Sequence, residues 1–149
     1  MTLMPRSKLN AIALKSGLLI SLLIAASFWS GVMAMAAPFS ATCVLLVLLP
    51  SSPFSTPRTV LLSHLLCLSA GALFLFLPLP PILQVIIPAW LALILMAWLS
   101  AVHAPALAHT VILGMGQQHT VSYLLWALLI AISFTLLALY EARRKCIST

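Results

Sequence analysis

Five side chains carry most of the chemical versatility in this chain: Arg58, His64, His103, His109 and His119. What accompanies them is unusual, because no Asp or Glu occurs between Met1 and Tyr140. Cation pathways and proton pumps usually carry an intramembrane carboxylate. Carbonyl-lined filters manage without one, but no filter-like run is visible here. The remaining polar groups are donors: Arg58, the histidines, helix N-termini, and hydroxyls such as those of Ser40 and Thr42. That inventory suits an anion or a small neutral solute. It does not suit an enzyme, since no serine or cysteine has a recognisable acid–base partner set. Cys43, Cys67 and Cys146 form no CxxC pair and no zinc spacing, and the histidines do not form an HExxH motif. No metal or cofactor is expected.

Each candidate has a structural and a functional reading. His64 sits within an apolar run, so it must be partnered by an interhelical hydrogen bond or belong to a pathway as a group titrating near neutral pH. His103 stands just before Pro105, and His109 falls inside the apolar piece that follows. His119 follows Gln117-Gln118 in a polar turn and reads as solvated. Arg58, after Pro57, is either a topology anchor or an anion contact.

The elements that hold these residues follow from composition. Of 149 residues, 64% are hydrophobic and 5% charged, with mean hydropathy +1.23. An ordinary soluble protein carries roughly 25% charged residues. A soluble domain, a disordered chain and a nucleic-acid binder are all excluded. The net charge of +6 is no nucleic-acid signal, because its cations sit at the two ends and in one loop. Charge is absent between Lys15 and Arg58 and again between Arg58 and Glu141. The second gap accommodates several crossings at ~20 residues each. The apolar runs lack the alternation of barrel strands, so the fold class is an all-α polytopic membrane protein.

Prolines and polar clusters divide the chain into four long apolar pieces, 17–36, 59–77, 82–101 and 121–141, and two short ones, 38–49 and 105–116. A 12-residue helix rises only ~18 Å, short of a ~30 Å hydrocarbon core, so the short pieces are half-helices, re-entrant segments or thin spans. The stretch Ala37-Pro38-Phe39-Ser40-Ala41-Thr42-Cys43-Val44-Leu45-Leu46 echoes Ala104-Pro105-Ala106-Leu107-Ala108-His109-Thr110-Val111-Ile112-Leu113, with five of ten positions identical at an offset of 67. This suggests a 3+3 internal repeat. Paired short segments in corresponding places of two halves point to a transporter's binding site. Pro38 and Pro105 read as helix starts, where a missing N–H costs nothing and the free N–H groups of the first turn attract anions. Alternatively, they merely end loops or kink continuous helices.

Residues 1–16 read as a cytoplasmic segment, 17–141 as one transmembrane domain and 142–149 as a cytoplasmic basic tail, because cations prefer the cytoplasmic side. The N-terminal cations followed by Ala34-Met35-Ala36 imitate a cleavable signal, but the apolar run exceeds a signal core, so a retained first span is expected. Both ends inside requires an even number of crossings. Six crossings place Arg58 inside and four place it outside; six, with two thin spans, is the reading adopted. Ser63, His64, Cys67 and Gly71 share a stripe; Gly17, Ser21 and Ala25, and also Ser27 and Gly31, form small-residue rows that let helices or subunits approach. Tyr123, Trp126 and Tyr140 read as interface anchors.

The stretch 37–46 followed by Pro50-Ser51-Ser52-Pro53 resembles the opening motif of HPP family integral membrane proteins. Thr56-Pro57-Arg58-Thr59-Val60 with Ser63-His64-Leu65 resembles that family's Pro-Arg-Asn and Gly-His segment, and His103-Ala104-Pro105 falls at its His-Pro-Pro motif. The likeness spans about residues 17–141. Ala104 replaces the first proline of that motif, Leu107 a usual glycine, His109 a usual small residue and Thr59 the asparagine. The resemblance implies a bacterial inner-membrane or organelle-envelope protein, the former favoured, from a family whose members have been linked to nitrite transport. The expectation is therefore a transporter or channel for a small anion, with nitrite the leading candidate. The solute would meet Pro38, Ser40, Thr42, Arg58, His64, His103, Pro105 and His109. A chain this small would enclose a path as a homo-oligomer in the lipid bilayer, with no nucleic-acid partner. Two alternatives are a non-transporting subunit whose small-residue faces dock partners, and a haem or metal protein using His64 and His103.

Overall fold

The computed structural model describes residues 6–116 and 120–148. They form helices α1 (Arg6–Trp29), α2 (Ala36–Leu48), α3 (Pro57–Leu75), α4 (Pro81–Trp98), α5 (Ala108–Gly114) and α6 (Thr120–Ser148), and no strand is present among them. Short 3₁₀ turns at Met33–Met35, Pro53–Ser55 and Ala104–Leu107 lead into α2, α3 and α5. Four helices are long and apolar enough to cross a membrane, and two stretches, Met33–Leu48 and Ala104–Gly114, are shorter. This is an all-α membrane protein of four long and two short helical pieces.

Several boundaries differ from the expectation. The first span stops at Trp29 rather than at residue 36, because Ser30 and Gly31 turn the chain and Gly31 adopts a left-handed φ of 72°. Pro38 consequently sits third in α2 and Pro105 second in its 3₁₀ turn, so neither is the first helical residue. Both still lie in a first turn, where N–H groups lack intrahelical partners. Helix α1 already begins at Arg6 and α6 runs on to Ser148, so helix crosses both boundaries drawn between membrane domain and terminal segments. His119 lies outside the described residues.

The start of α3 is fixed by local chemistry. Thr56 Oγ1 accepts the Thr59 N–H at 3.2 Å, Pro57 occupies the first turn, and Thr59 Oγ1 donates to the Pro53 carbonyl at 3.0 Å. Helix α4 ends where Ser100 takes a positive φ of 50°, and Arg58 Nη2 donates to the Leu99 carbonyl at 3.1 Å, tying the two ends together.

Contacts fix the direction of each piece. Lys15 pairs with Glu141 and Leu19 lies by Leu137, so α1 and α6 are antiparallel. His64 meets His109 and Gly71 meets Leu113, so α3 and α5 run in parallel. Gly114 abuts Gln84 while Ala106 packs with Ala92 and Met96, so α5 runs against α4. The six pieces therefore alternate in direction. One end holds Lys15, Glu141, Arg58, Leu99 and Phe54; the other holds Gly31, Phe76 and Met115. Arg58 shares an end with Lys15 and Glu141, because the short α2 runs back between α1 and α3. The halves α1–α3 and α4–α6 have opposite topology, as an inverted repeat requires.

Candidate functional site

Close approach of backbones builds the interior. A Cβ on Gly71 would lie 2.7 Å from Leu113 Cδ1 and 3.3 Å from Thr110 Cα, so the absence of a side chain at Gly71 lets α3 and α5 approach closely. A Cβ on Gly114 would lie 2.6 Å from the Gln84 carbonyl oxygen of α4. These two contacts seat the short α5 against α3 and α4 and bring His109 to His64. On α3 the stripe Ser63, His64, Cys67 and Gly71 faces inward. Cys43 and Cys67 are buried free thiols.

Four of the sequence candidates meet there. Thr42, His64, His103 and His109 are each wholly buried, at 0% exposure. His64 Nδ1 lies 2.9 Å from His109 Nε2, and His64 Nε2 lies 3.3 Å from Thr42 Oγ1. Thr42 Oγ1 lies 3.0 Å from His103 Nε2 and 3.0 Å from the Pro38 carbonyl. His103 Nδ1 donates to the Phe54 carbonyl at 2.8 Å, and His109 Nδ1 lies 2.5 Å from the Tyr123 hydroxyl. Phe39 stacks on His64 at 4.8 Å and on Phe134 at 5.8 Å, forming an apolar wall. The echoed segments have a direct consequence: Thr42 and His109 are equivalent at the offset of 67, and they flank the two nitrogens of His64.

Three candidates are not in the cluster. Arg58 is exposed at the rim and bonds the Leu99 carbonyl, so it clamps α3 to α4 instead of facing the histidines. Ser40 is half-buried on α2 and makes no side-chain hydrogen bond among the described residues. Pro105 is half-buried next to the cluster, two residues beyond His103. The first turn of α2 and the stretch that opens α5 pack side by side: Thr42, bonded to the Pro38 carbonyl, contacts His103 just before Pro105, and the Phe39 ring lies 5.0 Å from that of His109.

Sequence reasoning missed Tyr123, which it placed at the interface. Tyr123 is fully buried. The signal was the spacing Tyr123, Ala127, Ala131, Phe134, Ala138, all buried, which marks one inward face of α6. Trp126 and Tyr140 are exposed near span ends, as interface anchors are. The row Gly17, Ser21, Ala25 faces outward, and α1 packs inward through Ser16, Leu23 and Ser27 instead.

A metal is a poor fit to the cluster. Two nitrogens on one tetrahedral zinc at about 2.0–2.1 Å stand ~3.3 Å apart, whereas His64 and His109 approach to a hydrogen-bond distance of 2.9 Å. Nor does a haem fit between His64 and His103, whose rings are 5.4 Å apart with Thr42 bridging them. Among the described residues no three His, Cys, Asp or Glu are disposed to hold an ion. The arrangement can hold, share and pass protons.

No curated protein and no solved structure matches the chain. The family model described as the transmembrane region of HPP matches residues 3–144. That span takes in every helix holding the buried histidines, and the chain belongs to the HPP transmembrane family.

Proposed function

We propose that this protein is a transporter or channel for a small anion in a bacterial inner membrane, with nitrite as the leading candidate and both termini cytoplasmic. The observation that carries the reading is the buried polar cluster, Thr42, His64, His103 and His109, at the junction of two short, oppositely directed helices. Polar groups at this depth are costly, and they mark pathways in membrane proteins. Their character is donor-rich and free of carboxylate, which favours an anion over a metal cation. Nitrite enters through the family resemblance and not through the geometry. With every cluster member at zero exposure, the conformation is occluded, and the solute reaches the histidines only when the short helices separate.

Uptake of nitrite into proteoliposomes tests the proposal. Wild type takes up nitrite, His103→Ala reduces uptake by about tenfold or more, and Arg58→Ala retains it, since Arg58 stands at the rim. Background-level uptake in wild type overturns the reading and favours a non-transporting subunit.

A further inference from the structure

The cluster is continuous. Five hydrogen bonds run without a break from the Tyr123 hydroxyl through His109, His64, Thr42 and His103 to the Phe54 carbonyl. Its proton arrangement follows from one end. A carbonyl oxygen only accepts, so His103 carries its proton on Nδ1 and, when neutral, exposes a lone pair on Nε2. Thr42 has one hydroxyl proton and three acceptors in reach: Pro38 O, His103 Nε2 and His64 Nε2. Spent on Pro38, it would leave the His103 lone pair facing the Thr42 lone pairs. It therefore goes to His103. Thr42 must then accept from His64 Nε2–H, which leaves His64 Nδ1 to accept from His109 Nε2–H, and His109 Nδ1 to accept from Tyr123 O–H. One neutral tautomer per ring satisfies every link, with all five protons aimed the same way.

We infer that Tyr123, His109, His64, Thr42 and His103 form a proton relay, and that solute crossing in this protein is linked to proton movement along it. The coupling half of this inference rests on the transport reading above; the relay itself rests on the hydrogen-bond geometry.

The proton balance is simple. A sixth proton arriving at the Tyr123 oxygen sends the phenol's own proton to His109 Nδ1; His109 passes Nε2–H to His64 Nδ1, His64 passes Nε2–H to Thr42, and Thr42 passes its proton to His103 Nε2. His103 is then an imidazolium that donates to both Phe54 and Thr42. The phenol, now an acceptor from His109, has the newly arrived O–H free. A proton leaving His103 Nδ1 at the Phe54 end restores neutrality, one proton has crossed the relay, and the links reset before the next. Before it leaves, the cluster holds one positive charge and one uncommitted donor at Tyr123, which together favour a monovalent anion. One proton per anion makes the crossing electroneutral.

The surroundings suit this role. Helix α2 presents Phe39, Thr42 and the buried thiol of Cys43; α3 presents His64 and Cys67; the 103–114 stretch presents His103 and His109; α6 presents Tyr123. Helix α4 has no titratable side chain. Lys15, Glu141, Arg58, Arg143 and Arg144 all lie outside the cluster, toward the end that holds the Lys15–Glu141 pair. The relay approaches that same end at Phe54, which is 50% exposed on the α2–α3 connection, and stops at the opposite side one turn inside α6.

The test uses the full chain in lipid vesicles with a pH-sensitive dye inside and an inward nitrite gradient, with protein-free vesicles subtracting passive leak of the protonated acid. Wild type shows a lumenal pH change that tracks nitrite entry. Thr42→Val, which keeps the volume and removes the hydroxyl, lowers the proton signal by about tenfold or more, and Thr42→Ser restores it. Nitrite entry without proton movement, or a Thr42→Val signal equal to wild type, overturns the coupling. If neither nitrite nor protons move, the transport reading fails and the coupling with it. The relay is decided separately by ¹⁵N NMR of histidine-labelled protein in lipid at neutral pH. Protons on His103 Nδ1, His64 Nε2 and His109 Nε2 support it, and the opposite tautomer at His64 or His109 overturns it.

Discussion

At the scale of the residue, His64 shows how a costly side chain becomes tolerable in a membrane. Both of its nitrogens are partnered and its face is stacked on Phe39, so no polar atom of the ring meets lipid. An orphaned buried donor or acceptor costs about 1–3 kcal/mol. Thr42→Val strands one nitrogen on His64 and one on His103, and each contributes a penalty of that size. Thermal unfolding in detergent checks this, with the melting temperature of Thr42→Val well below that of Thr42→Ser. Tyr123→Phe removes one partner from His109 and lowers stability by about 1–3 kcal/mol, while Tyr140→Phe, at an exposed site, leaves the midpoint unchanged. The candidates legible in sequence were those whose residue type is expensive in lipid, namely His64, His103 and His109. The sequence left Arg58 open between anchor and anion contact, because a cation after Pro57 can reach inward or clamp a neighbour's carbonyl; the structure shows it bonded to the Leu99 carbonyl. Tyr123 was missed because tyrosine near a span end is ordinarily an anchor, and its inward face shows only when α6 is read as a stripe.

At the scale of the element, α5 is the weakest-built piece and the most exacting. It has seven residues and is held by glycine contacts on two sides. Gly114→Ala drives a methyl into the Gln84 backbone carbonyl, which cannot swing away, so α5 shifts and stability falls by about 1–3 kcal/mol. Gly71→Ala meets first the end of the flexible Leu113 side chain and costs less. Comparing the two melting temperatures checks that order. The long pieces were legible from charge-free length, and the short ones from proline spacing. The extent of α1 was not, because the Ser30-Gly31 turn interrupts an apolar run whose hydropathy barely changes. The register that sets Thr42 and His109 on either side of His64 was foreshadowed by the echo at offset 67, although identity in so apolar a chain cannot by itself reveal contact.

At the scale of the whole molecule, six alternating pieces make two inverted halves around one polar centre. The long helices face outward with apolar side chains, Trp29 and Phe76 toward one end and Trp98 and Tyr140 toward the other, as interface belts require. Alternation places position 58 at the same end as both chain termini. Arg58→Cys, in a chain whose other three cysteines are replaced by alanine, is expected to be labelled from the cytoplasmic side alone; labelling from outside contradicts six passes. A monovalent anion entering a cell against an inside-negative potential faces ~2.3 kcal/mol per 100 mV, a barrier that a co-moving proton cancels. In the proposed function, solute passes by the buried histidines. The direct measurement is nitrite uptake into proteoliposomes by wild type and by His64→Ala, each shown to be folded by its melting transition. Uptake by wild type that falls by about tenfold or more in folded His64→Ala is the expected result; equal uptake by the two proteins would contradict a path through the cluster.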